Sequence, residues 1–206
     1  MWNLAARLAQ TLGARANVKT IVVVDWFFPY GPGAGESGRW DTAYAQVGAM
    51  EYARYRFLAD ARSVVNADVD ELVFSRNPDQ TLCEITEASH GGYAEYSAMW
   101  AGRAHGPDIS VPEKERRYAA SYHVNRAMPA GGSKWSVVPA MCPAHIEWGV
   151  HRIPDMDVDG NADGQLCYRN FQEFNTGWKA QRDFGCGDYV LDEDMCRTYQ
   201  SIGWGS

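Results

Sequence analysis

The sequence predicts an α/β fold with a mostly parallel central sheet and helices on both faces. Thr20-Ile21-Val22-Val23-Val24 and Val64-Val65 are β-branched apolar runs of the kind that lies buried on both faces of a parallel sheet. A helical period precedes each run. Leu4, Leu8 and Leu12 share one stripe, and Ala43, Val47, Met50, Tyr55 and Leu58 share a second. The order helix, strand, helix, strand implies right-handed crossovers and a Rossmann-like sheet.

Gly13 stops the first helix, Leu4 to Leu12. The strand Thr20 to Asp25 is followed by a Gly- and Pro-rich aromatic loop, Trp26 to Gly38. The helix Trp40 to Leu58 has Asp41 as its cap and leads into the strand around Val64. Asn77-Pro78-Asp79 reads as a turn, with Asp79 capping a short helix through Ala88 that Gly91 and Gly92 end. Tyr93 to Trp100 alternates as a strand, then Ala101 to Arg117 forms a polar loop and Pro129 to Gly132 another. Lys134 to Pro139, His145 to Ile153 and Gln165 to Phe171 read as extended. Trp178 to Asp183 and Asp188 to Gln200 read as helices. At 206 residues the chain fits one domain, 1–206.

Composition narrows the function. The net charge of −7, with no Lys- or Arg-rich run, argues against nucleic acid as a partner. The 8 Trp and 11 Tyr suit stacking on sugar rings or bases, and equally a large core. The 5 Cys are odd in number and include no Cys-x-x-Cys pair, so neither a disulfide framework nor a zinc site is expected. No apolar run reaches transmembrane length and no signal peptide is evident. The expected location is therefore cytoplasmic, with at most peripheral contact at the inner face of a membrane.

The chemistry concentrates after Val65. Asp68, Asp70 and Glu71 follow the apolar strand, and ligands of open α/β sheets collect at the carboxyl ends of strands. In extended chain Asp68 and Asp70 point to one side, where two carboxylates repel unless a cation or a shared proton separates them. A hard divalent ion, Mg²⁺ or Mn²⁺, answers that need and commonly arrives with a phosphate-bearing substrate.

Asp68-Val69-Asp70-Glu71 after an apolar strand resembles the Asp-x-Asp motif of GT-A-fold glycosyltransferases, closest to the family 2-like bacterial proteins with Asp-x-Asp-Glu. Lys134-Trp135 followed by His145 to His151 resembles that family's Lys-Trp strand and downstream His. Tyr168-Arg169-Asn170-Phe171 and Asn175-Thr176-Gly177-Trp178-Lys179 resemble its Arg-His-Phe and Asn-Thr-x-Trp-Lys run, with Asn170 where the family has His.

The resemblance implies a metal-dependent transfer of sugar from a nucleotide-sugar donor to a glycan or polysaccharide acceptor. It assigns residues 1–76 to the nucleotide and metal side and 77–206 to the acceptor side. Asp70 binds the metal, Asp68 holds the metal or the ribose, Glu71 buttresses them, and His151 completes the shell, with His145 as its substitute. Asp25 joins Asp68 in binding the nucleotide. Glu147 is the candidate base, with Asp155 behind it. Lys134, Trp135, Trp148, Asn175, Trp178 and Lys179 are the candidate substrate contacts. The family has two further strands before the helix matched by Leu4 to Leu12. The chain as it begins at Met1 is accordingly expected to be N-terminally truncated, with an open sheet edge at Ile21 to Val24 through which copies associate. A truncated, non-catalytic binding or assembly module is the alternative function.

Asp155-Met156-Asp157-Val158-Asp159-Gly160-Asn161-Ala162-Asp163 gives a third reading. Asp stands at the first, third, fifth and ninth places and Gly at the sixth, as in an EF-hand calcium loop. The twelfth place is Leu166 rather than the bidentate Glu, so any Ca²⁺ site there is expected to be weak.

Overall fold

The computed structural model describes residues 18–26, 44–68, 70–102, 121–158, 160–171 and 188–202. The chain divides into two compact units, Met1–Ala49 and Met50–Ser206. In the first, residues 18–26 form neither strand nor helix, and Val22, Val23 and Val24 are exposed. This corrects the expected strand Thr20 to Asp25 and removes the open edge at Ile21 to Val24. A β-branched run becomes a strand only where a neighbour satisfies its backbone groups. The expected helices Leu4 to Leu12 and Trp178 to Asp183 lie outside the described residues, as do residues 27–38 and 103–117 of the expected loops and residues 40–43 of the expected helix Trp40 to Leu58, with its cap Asp41.

Helix α1, Tyr44–Ala53, runs into a π-helical turn, Arg54–Leu58. The second unit then continues through β1 (Val64–Val65), β2 (Glu71–Ser75), α2 (Leu82–Ala88), β3 (Tyr93–Gly102), β4 (His123–Val137), α3 (Gly160–Gln165), β5 (Leu166–Phe171), β6 (Tyr189–Leu191) and α4 (Glu193–Ser201). The sheet order is β1-β4-β3-β5-β2, with β6 beside β1 on β4. The protein is therefore mixed α/β, but the mostly parallel sheet is corrected. Among the described residues only β3 and β5 pair in parallel, and the other pairings are antiparallel. Only residues 66–70 separate β1 from β2, too few for the crossover of a dozen residues or more that parallel neighbours need, so these two strands cannot lie side by side in parallel.

That short connection also shapes the sheet, because β1 and β2 lie at opposite ends of the strand order. Six residues reach at most about 20 Å, and four strand spacings come to about 19 Å. Residues 66–70 contain a turn, with the Glu71 amide donating to the Asp68 carbonyl at 3.2 Å, so they fall short of that reach. The sheet must curl, and the acidic segment bridges its two edges.

One sheet face packs Ala94, Tyr96, Ala98, Trp100, Leu166 and Tyr168 against Ile85 of α2 and Ala162 of α3. The other face carries two clusters. Tyr93, Trp135 and Val137 pack on Cys142, Ile146, Trp148 and Ile153, and Phe74, Ala101, Cys167 and Phe171 pack on Met195 and Tyr199 of α4. Buried Arg54 fastens the segment over the first cluster, donating to the carbonyls of Ile146 (2.5 Å) and Pro143 (3.0 Å).

Local chemistry explains the other departures. The cap of α2 is Thr81 rather than Asp79, because Glu84 three residues on closes a capping box with it. Ser89, not Gly91 or Gly92, ends α2 in an extended conformation, and the two glycines follow in a separate 3₁₀ turn, at φ of 62° and 64°. The expected loop 129–132 lies within β4, whose pairing with β3 is irregular there. Residues 145–153 hold no strand; a turn and bend at 144–146 and bends at 150–151 interrupt the expected extended run. Residues 188–200 split into β6 and α4, and Asp192 caps the helix by accepting from the Met195 amide at 3.2 Å. No helix among the described residues is long and apolar enough to cross a membrane.

Candidate metal centre

The strand β1 is short because the chain leaves it to turn. The Asn66 amide still bonds the Trp135 carbonyl at 2.9 Å, while its side chain donates to the Val150 carbonyl at 2.7 Å. Asp68 then opens the turn, a position that short polar residues favour. The carboxylates gather through this turn rather than through the extended alternation expected of Asp68 and Asp70. One oxygen from each of Asp68, Asp70 and Glu71 falls within a group whose members are all within 4.8 Å of one another. No other such group of His, Cys, Asp or Glu occurs among the described residues.

Glu71 is the anchor. Its side chain is 3% exposed, and both oxygens are engaged. Oε2 accepts from the Asp68 amide at 2.7 Å and lies 3.3 Å from Lys134 Nζ. Oε1 accepts from the Tyr168 hydroxyl and from Asn170 Nδ2 at 3.3 Å. Register explains the convergence. Glu71 pairs with Asn170 across β2 and β5, and Tyr168 lies two residues away on the same face. Burial raises the Tyr168 hydroxyl pKa above its usual value, and the bond to Glu71 adds to the rise.

Lys134 is the cation of the group. Its side chain is 1% exposed, and Nζ sits 2.9 Å from Asp68 Oδ2, whose side chain is 46% exposed. The sequence assigned Lys134 to substrate; the structure places it on two of the three acids. Its neighbour Trp135 points to the opposite face, as alternation demands.

The other candidates are dispersed. Trp135 and Trp148 are buried together in an edge-to-face pair at 5.2 Å, with Trp135 Nε1 donating to the Gly149 carbonyl at 2.7 Å. This corrects their expected place as sugar platforms, since neither ring face is open to solvent. His151 is exposed and outside the carboxylate group, with Nδ1 3.1 Å from the Ser133 carbonyl. His145, Glu147 and Asp155 are exposed and outside the group, and Asp25 is exposed in the first unit. Asn175, Trp178 and Lys179 lie outside the described residues. In the calcium-like segment, Gly160 already begins α3, so the sixth to ninth places are helical, while exposed Asp157 lies 3.9 Å from His90 Nε2.

Sequence reasoning gave no role to Tyr168. Its signal was positional: it sits two residues before Asn170 in a strand, so both share a face. Glu71, Lys134, Tyr168 and Asn170 are thus one buried polar network reaching solvent through Asp68. Its donor set, carboxylate oxygens only, is of the kind that suits a hard divalent ion such as Mg²⁺ or Mn²⁺; Asp68 and Asp70 would be the residues to hold one, since both oxygens of Glu71 are already engaged. Comparison with known proteins adds no name to this geometry: no family model matches the chain, and no curated protein matches it.

Proposed function

We propose that the chain is a metal-dependent glycosyltransferase-type domain of the GT-A kind, transferring sugar from a nucleotide-sugar donor to a glycan or polysaccharide acceptor. One observation supports this reading above the rest. Three separate pieces of the resemblance, Asp68 to Glu71, Lys134 and Tyr168 to Asn170, come together at a single point. Residues 68, 70, 71, 134, 168 and 170 have no reason to meet in a merely solvated acidic turn.

In this reading Asp68 and Asp70 hold Mn²⁺ or Mg²⁺, which when bound supplies neutralisation of the diphosphate on the departing nucleotide. Glu71 does not bind the ion. It fixes the turn through four donors, two of them on β5, and so holds the two ligands in place.

Titration calorimetry of the full chain with Mn²⁺ and a nucleoside diphosphate tests the reading. Metal-dependent binding that disappears in Asp70→Ala is the expected result. Absence of binding, or an Asp70→Ala variant that binds as well as the wild type, overturns it.

A further inference from the structure

Resting on the reading of the acidic turn as a metal centre, we propose that Lys134 is a resident counter-cation that competes with the divalent ion for Asp68. The claim comes from where a positive charge already sits. Carboxylates held this close repel unless a cation or a shared proton separates them, and here a cation is in place: Nζ of Lys134 lies 2.9 Å from Asp68 and 3.3 Å from Glu71. The ammonium is delivered by β4 from beneath the turn. Its side chain is buried, so it cannot swing into bulk water as a surface lysine would.

Two consequences follow. A divalent ion that approaches Asp68 meets a fixed positive charge a few ångströms away, which opposes its entry. Conversely, the acidic turn holds its shape without metal, because Lys134 and the Tyr168 and Asn170 donors together satisfy Glu71. Lys134 is thereby a positioning residue that sets metal affinity. It keeps the centre assembled when the ion is absent and keeps the ion weakly held. A weakly held ion suits a centre that receives its metal along with a diphosphate, whose negative charge outweighs the ammonium.

Calorimetric titration with MnCl₂ alone, on wild type, Lys134→Met, Lys134→Arg and Asp70→Ala, tests the proposal. Removing the charge should tighten Mn²⁺ binding about tenfold or more. The melting temperature of Lys134→Met should fall without metal and rise further with Mn²⁺ than that of the wild type. Lys134→Arg, which keeps the charge, should stay within a few-fold of the wild type. If Lys134→Met does not fold, Lys134→Gln removes the charge while keeping an amide donor toward Glu71.

The outcomes separate the two claims. Unchanged or weaker Mn²⁺ binding on charge removal, with wild-type binding still lost in Asp70→Ala, overturns the role of Lys134 and spares the metal centre. Binding by the charge-free variants but not by the wild type supports Lys134 as the occupant and overturns metal dependence. Binding by none of them overturns both.

Discussion

Strand β5 carries two buried ionic arrangements on opposite faces, and their contrast separates a site from a staple. Arg169 points one way and bonds Asp192 at 2.5 Å, with both side chains 4% exposed. One guanidinium meets one carboxylate, each also held locally: Arg169 donates to the Tyr168 carbonyl at 3.1 Å, and Asp192 caps α4. Tyr168 and Asn170, the residues on either side, point the other way onto Glu71. There three carboxylates gather, two of them on one ammonium, and the group opens to solvent at Asp68. A balanced pair, buried in the wall of a cavity that Arg76, Arg126 and Asp194 also line, fastens α4 to the sheet. An unequal cluster with an exposed member has somewhere for a ligand to enter. Burial of charge is common to both, so burial alone does not identify function; stoichiometry and access do.

Breaking each arrangement should give different signatures. The largest loss of stability should come from Arg169→Met, which strands Asp192 in the interior at a cost of about 3–5 kcal/mol. Adding Asp192→Asn removes the second charge while leaving an oxygen for the helix cap, and should recover a good part of that loss in urea unfolding. Failure to recover would mean that the guanidinium's packing, including its approach to the Phe74 ring at 5.5 Å, matters more than the pair. At the other cluster, Glu71→Ala should cost about 2–3 kcal/mol, because it leaves buried donors from Lys134 and Tyr168 unsatisfied. Asp68→Asn, on an exposed side chain, should cost under about 1 kcal/mol yet weaken Mn²⁺ binding. Stability and metal affinity should therefore part company within one four-residue turn, whereas at Arg169 and Asp192 only stability should move.

The legibility of these two regions in the sequence also differs. The acidic turn was visible because its residues are contiguous, and Lys134-Trp135 and Tyr168-Arg169-Asn170 were visible as pieces. Their meeting was not, since it depends on register between β2 and β5 and on the curl of the sheet, which are properties of pairing. The parallel sheet was misread because an apolar β-branched run fixes neither the direction of its neighbours nor, at Val22 to Val24, its own burial. The two valines of β1 do lie in the sheet but pair antiparallel with β4, while the longer run Thr20 to Val24 is in no strand. Two of the three aromatic candidates, Trp135 and Trp148, have the composition of a sugar platform and the burial of a core, a difference set by the fold. The staple was missed altogether, as Arg169 and Asp192 are ordinary charges 23 residues apart until the fold joins them.

The smallest effect sharpens the comparison through pH. Tyr168 is neutral and donates to Glu71, and its pKa is raised chiefly by burial, then by that bond. A folded-state pKa above the unfolded value of 10.0 means that the chain gives up this proton more readily when unfolded. The associated stability is complete below pH 10.0 and is lost as the pH climbs toward the folded-state pKa. Tyr93 and Tyr96 are shifted the same way by burial and add to the slope. In Tyr168→Phe the melting temperature should be modestly lower at pH 8, by about 1 kcal/mol of lost hydrogen bonding, and should decline less steeply between pH 10 and 11. Arg169→Met should leave that slope as it is, since neither Arg169 nor Asp192 is among the groups that shift Tyr168, Tyr93 or Tyr96. Equal slopes in wild type and Tyr168→Phe would place the Tyr168 hydroxyl in contact with water rather than sealed against Glu71, and the acidic network would then be open on its β5 side as well as at Asp68.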